Sequence, residues 1–181
     1  MFPVVRLIKE TYLARKAPPL PILGTHVSHH RCWPQDIDLF IEMNNGRILT
    51  IFDLGRMSLA HRVGLITALR EKRWGLTMAG STVRYRKRIR PFVKFEMRSR
   101  ALGWDDKFFY LEQSMWIGAD CAAHVLYRSA ITDKDGIVRP RRLFDHIGYT
   151  GAKPDLPTWV QNWIEADATR PWPPMQNAAA P

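Results

Sequence analysis

DIDLFIEMNNGRILTIFDLGR, residues 36–56, changes character partway along. Its first half sets Asp36, Asp38 and Glu42 beside a short apolar run. Its second half repeats apolar residues at helical spacing: Ile48, Ile51, Phe52, Gly55 and, just past the quoted stretch, Leu59. The spacing predicts a long helix with one apolar stripe. Asn45 is of a type that caps helix starts, and Gly46 leaves the first turn open to close approach. Gly64 should interrupt that helix before LITALREKRW (65–74) adds about two more turns.

Past Trp74 the period becomes two. STVRYRKRIR (81–90) alternates, with Val83, Tyr85 and Ile89 on one face and Arg84, Arg86, Arg88 and Arg90 on the other, until Pro91. FVKFEMRSRAL (92–102), FFYLEQSMWI (108–117) and CAAHVLYRSAIT (121–132) follow as strands. GWDDK (103–107) and residues 118–120 turn the chain between them, and DKDG (133–136) closes the run. Upstream, THVSHHRCW (25–33) reads as a strand ended by Pro34. Short connections predict an antiparallel meander. A lone helix with one apolar stripe must be covered, and a sheet curling around it is the available cover, which gives an α+β fold.

The flanks read differently. Residues 1–24 form an N-terminal helical segment and a Pro-rich connector, APPLPILG (17–24). In the helical part Val4, Val5, Leu7, Ile8, Tyr12 and Leu13 mix with Arg6, Lys9, Arg15 and Lys16. That pattern suits docking on the chain's own domain, or weak contact with a membrane surface. Residues 25–150 are the main domain. Residues 151–181 hold a helix around LPTWVQNWIEAD (156–167) and a tail (169–181) expected to be largely disordered.

A chain of 181 residues with 46% apolar and 11% aromatic residues holds one core and is not a disordered protein. Two cysteines, Cys32 and Cys121, make no disulfide framework, and the opening MFPVVRLIKETYLARK (1–16) has no apolar run long enough for a signal peptide or a span. The expectation is a cytoplasmic protein. The net charge of +10 and pI of about 10.1 imply an anionic partner: nucleic acid, acidic lipid or a phosphorylated small molecule. His26, His30 and Cys32 would share one strand face and His29 the other. No fourth ligand completes a tetrahedral set, so no metal is expected.

The quoted stretch resembles the hotdog-fold acyl-CoA thioesterases, in which an antiparallel sheet wraps one central helix. Their segment reads D-x-D-x-x-G-H-V-N-N-x-x-Y-L, with an acid later on the helix. Here Asp36 and Asp38 match its aspartates, Met43-Asn44-Asn45 its Val-Asn-Asn, Ile48-Leu49 its Tyr-Leu and Asp53 its helix acid. Ile41-Glu42 stands where the family has Gly-His. With FEMRSRALGWDDKFFYLEQ (95–113), the stretch is similar to the branch that contains the sixth member of the animal thioesterase superfamily and its bacterial relatives, over residues 26–131. The resemblance implies a homodimer or dimer of dimers with sites at the interface, hydrolysis of an acyl-CoA, and no cofactor beyond the coenzyme A that the substrate carries. A hotdog protein that binds acyl-CoA or acyl chains without turnover is the alternative.

Hydrolysing a thioester needs a nucleophile or activated water and a donor at the developing oxyanion. The resemblance assigns the first role to Asp38. The amides of Asn45, Gly46 and Arg47 at the helix start supply the second. Asp36 fits a structural role. Glu42 either replaces the missing histidine or faces solvent, and Asn44 and Asn45 form the turn and cap. Asp53 and Arg56, three apart, form either a structural bridge or a second active-site acid with its partner. Arg84, Arg86 and Arg88 hold the coenzyme phosphates or form a solvated outer face. Nucleic-acid binding is the rival reading of this charge. It is disfavoured because the strands lack interleaved exposed aromatics and no recognition helix is present.

Overall fold

The computed structural model describes residues 2–174; residues 175–181, part of the expected tail, lie outside the described residues. Helix α1 (Val4–Lys16) precedes strand β1 (His26–Arg31) and a 3-10 turn (Pro34–Asp36). Helices α2 (Asn45–Arg62) and α3 (Leu65–Lys72) follow. The chain then runs through β2 (Gly75–Tyr85), β3 (Lys94–Trp104), β4 (Phe109–Ile117), β5 (Asp120–Asp133) and β6 (Gly136–Val138). Helices α4 (Pro140–Ile147) and α5 (Thr158–Ala168) end it. Gly64, in the left-handed region at φ 78°, separates α2 from α3 as its position predicted.

The strands form one antiparallel sheet in the order β1-β3-β4-β5-β2, with β6 added to β5. This is the hotdog arrangement, and it corrects the simple meander. Strands β3 to β6 pair with their neighbours in sequence, but β2 crosses to the far side and pairs with β5 instead of β3. Strand β2 also starts earlier and stops earlier than the alternation suggested. The amides of Arg86 and Lys87 both donate to the Ala122 carbonyl, and the chain then leaves the sheet. Ile89 drops into the core and is 1% exposed, while its carbonyl accepts the Met43 amide at 2.8 Å.

The sheet's concave face holds α2. Ile48, Ile51, Phe52 and Leu54 pack against Phe95, Met97, Met115 and Val125. Fully burying such side chains contributes about 1.5–3 kcal/mol each before chain entropy is set against it. A second cluster joins α3 and α4 to the far end through Leu69, Trp104, Ile131, Val138 and Phe144. On the convex face α5 covers Tyr110 and Leu126 with Val160. Helix α4 and strand β6 were not foreseen. Pro140 at the first turn and Gly148 just past the end are the ordinary punctuation of a short helix.

Helix and sheet approach closely at Gly55. A Cβ there would lie 2.5 Å from the Ser99 hydroxyl and 2.7 Å from Met97 Cε. Ser99 is held by the Gln113 side chain, whose Nε2 also donates to the Phe52 carbonyl at 2.8 Å. Gly55→Ala is therefore expected to lower stability by about 1–3 kcal/mol despite the better helix propensity of alanine. Urea denaturation of the two proteins measures it; an unchanged midpoint would mean that the layers can part.

Candidate active site

The start of α2 is capped by Asn44, not Asn45. The Asn44 Oδ1 accepts the Gly46 amide at 2.9 Å and the Arg47 amide at 3.2 Å, and Asn45 is the first helical residue. Two of the three amides expected to face a substrate are thus occupied, which corrects that assignment of Gly46 and Arg47. Asp36 is 1% exposed and accepts from Arg6 at 2.7 Å and from the Trp33 amide at 2.9 Å, with Arg47 Nε at 3.3 Å. It ties α1, the 3-10 turn and α2 together.

Asp38 lies half-exposed in the loop ahead of α2. Its Oδ1 accepts the Phe40 amide at 2.8 Å, and its backbone exchanges bonds with Glu42 and Ile41. A cleft of about 450 Å³ opens beside the helix start, lined by Gln35, Asp36, Ile37, Asn44, Arg47 and Thr50 together with Phe2. Asp38 is not part of that lining. Glu42 pairs with Arg88 at 2.9 Å, so these two candidates meet each other.

The arginine stripe does not survive as one face, because the strand ends at Tyr85. Arg84 stays on β2, whereas Arg86 and Arg88 sit on the loop beyond it. On β3, which β4 and β5 separate from β2 in the sheet, Arg98 pairs with Glu96 and Arg100 with Glu112, each at 2.6 Å. His26 and His30 point inward and are buried, as the strand period required, while His29 faces out. Cys32 is buried, and its thiol is pushed up to about 11, chiefly by burial.

Two turns into α2 the helix acid forms a different constellation. Asp53, half-buried, binds Arg56 in an ion pair, and the Arg56 guanidinium lies over the Tyr127 ring at 4.2 Å. Arg56 Nη1 and Tyr127 Oη are buried without a hydrogen-bonding partner among the described residues. Burial pushes the Asp53 carboxyl up against the opposing pull of Arg56. Burial likewise raises the Tyr127 phenol, and Tyr85 nearby is raised in the same way, so both remain donors at neutral pH.

Arg56 also lines a narrow apolar cavity of about 70 Å³ between α2 and the sheet, walled by Leu59, Val63, Leu76, Leu111 and Ile131. That is smaller than an ordinary ligand pocket of several hundred Å³, so a long chain would have to part its walls. Sequence reasoning named Asp53 and Arg56 but missed Tyr127. The available signal was a phenol on the inward parity of β5, in line with Val125 and Ile131.

A family model described as the thioesterase-like superfamily matches residues 32–164. The chain is 44% identical over 80 residues to Protein THEM6 of Xenopus laevis, covering 44% of this chain and 39% of that protein. It is 36% identical over 152 residues to Protein THEM6 of Danio rerio, covering 82% and 73%. Among solved structures, a hypothetical protein of Staphylococcus aureus in complex with CoA superposes with a TM-score of 0.62 at 14% identity, covering 77% of this chain and 92% of that one. The 1,4-dihydroxy-2-naphthoyl-CoA thioesterase of Synechocystis gives 0.58 at 8% identity, covering 67% and 93%. At such identities the structures speak for the fold alone. The family match over most of the domain and the curled sheet around α2 lead to one conclusion: the chain belongs to the thioesterase-like superfamily.

Proposed function

We propose that the protein hydrolyses acyl-CoA thioesters and that Asp53 is the carboxylate driving the reaction. One observation carries this reading: a half-buried carboxylate pairs with Arg56, whose Nη1, like the Tyr127 Oη beside it, is buried without a hydrogen-bonding partner among the described residues, and Arg56 also lines an apolar cavity. In the proposed sequence Asp53 takes a proton from water as the water oxygen bonds to the thioester carbonyl carbon. The charge on the carbonyl oxygen is met by Arg56 Nη1 and Tyr127 Oη. Collapse breaks the carbon–sulfur bond, and the leaving thiolate recovers the proton from Asp53. The acyl chain occupies the cavity beside Leu59 and Leu111, and exposed arginines meet the coenzyme phosphates. Superfamily membership and the CoA-bound Staphylococcus neighbour support a CoA ester as substrate.

A second reading places the reacting carboxylate at Asp38. Its position favours it, immediately ahead of the positive end of α2, with only one oxygen taken by the loop among the described residues. Release of free CoA thiol from acyl-CoAs of graded chain length tests both readings. Turnover abolished in Asp53→Asn and retained in Asp38→Asn supports the first; the reverse supports the second. Tight binding of acyl-CoA without turnover of any chain length would make this an acyl-CoA-binding protein instead.

A further inference from the structure

Helix α1 is docked with its faces reversed. Wound at about 100° per residue, Glu10 and Ala14 lie on one side, flanked by Arg6 and Leu7, and Val4, Val5, Ile8 and Tyr12 lie on the other. An ordinary surface helix buries the apolar side. Here Glu10 and Ala14 are the buried pair, 5% and 4% exposed, packed toward α2, with the Glu10 carbonyl 3.5 Å from the Ser58 hydroxyl. Val4, Val5, Ile8 and Tyr12 face solvent at 54%, 81%, 64% and 56% exposure. The docking is specific, because the Arg6–Asp36 bond fixes its start and the bond from Leu20 to the Arg62 carbonyl fixes the connector beyond its end.

A second apolar projection stands at the same end of the molecule. Leu39, Phe40 and Ile41 form a loop tip exposed by 97%, 77% and 64%. The tip follows Ile37, which shares the cleft at the helix start with Phe2. A chain that holds two apolar projections in water leaves several side chains' worth of transfer free energy unused.

Charge selects the occupant. Lys9, Arg15 and Lys16 are exposed around the apolar stripe of α1, and Lys16 lies 4.3 Å from the Tyr12 ring centre. The one acid on the helix, Glu10, is turned inward and pairs with Lys9 at 3.3 Å, which leaves Arg15 and Lys16 as the exposed cations not matched by an acid of this helix. A second copy packed face to face on this stripe would set these cations against their own equivalents. An anionic bilayer has the opposite sign and an apolar interior. No helix among the described residues is long and apolar enough to cross a membrane, so the fit is to a helix lying in the interface. From this geometry we infer that α1, with the 39–41 loop tip, docks the protein on the surface of an anionic phospholipid membrane. Val5, Ile8 and Tyr12 enter the acyl boundary, and Lys9, Arg15 and Lys16 meet the headgroups.

Flotation of the full chain with vesicles tests this. The native protein should float with vesicles of phosphatidylcholine and phosphatidylglycerol in equal parts. It should float poorly with phosphatidylcholine alone, and high salt should release it. The double change Val5→Asp with Ile8→Asp should weaken binding by about tenfold or more, since it removes two inserted side chains and adds repelled charge. Both positions face solvent, so circular dichroism and the melting midpoint should be unchanged, and Phe40→Asp supplies a second variant off the helix. Native protein that stays below the vesicles, or a double variant that floats equally well, overturns the inference. A double variant that instead converts a native dimer to a monomer would show that a second copy covers this face, and would overturn it too.

Discussion

Asp53→Asn is expected to lower kcat for acyl-CoA hydrolysis by about 100-fold or more, equivalent to about 2.7 kcal/mol of barrier, with little change in KM. The substitution keeps the shape of the side chain and removes only its charge and basicity. Tyr127→Phe should cost about tenfold or more in kcat through loss of one oxyanion donor. Asp38→Asn should cost less than about tenfold, because Asn can still accept the Phe40 amide and keep the loop. The pH profile carries independent information. Burial raises the Asp53 carboxyl, so the acid limb of kcat/KM should lie above the ordinary aspartate range, with activity rising as pH rises through it. An acid limb at the ordinary position, together with a large loss in Asp38→Asn, would transfer the base to the loop. Loss in neither variant would remove both carboxylates from the chemistry.

How much of this was legible follows from the range of each signal. The α2 stripe was readable because it is local: Ile48, Ile51 and Phe52 announce their shared face within a few residues. Gly64 was readable for the same reason. The crossing of β2 to the far side of β5 was not, because strand neighbours are set by long-range pairing that the alternation of Val83 and Tyr85 does not encode. The arginine stripe misled because period-two spacing continues in the sequence after the backbone has left the sheet at Arg86. The cap shifted by one because two adjacent asparagines compete for it, and only φ and ψ decide which side chain turns back on the helix. Asp53 and Arg56 could be read as a pair from their spacing, but Tyr127 reaches them only across the fold. The constellation therefore required the tertiary structure.

Acid should destabilise the protein well above the range in which most carboxylates titrate. His26 and His30 are buried on the inner face of β1, and both are lowered to about 4. For His26 the causes are burial and then Arg62. For His30 they are burial and then Lys9, Arg6, His26 and His29, so the groups facing it from α1 and from its own strand resist a further positive charge. The unfolded chain carries ordinary histidines with a pKa of about 6.5, so between about pH 6.5 and about pH 4 it binds protons that the folded chain refuses. Stability is fully present above that window and falls as pH drops through it, by an amount on the order of 3 kcal/mol for each histidine once both are unfavourably charged. Asp53 opposes the trend. Its raised carboxyl favours the protonated folded form, so its own contribution grows as pH falls through its titration. It is only half-buried and acts alone against two buried histidines, so the net slope should remain downward. Urea titrations across the window should show the midpoint falling steadily with no change in m-value, and His30→Gln should flatten the slope while the Ser28 hydroxyl keeps a partner. A midpoint that stays level down to the carboxylate range would mean that both imidazoles gain protons without cost, and that the inner face of β1 opens to water.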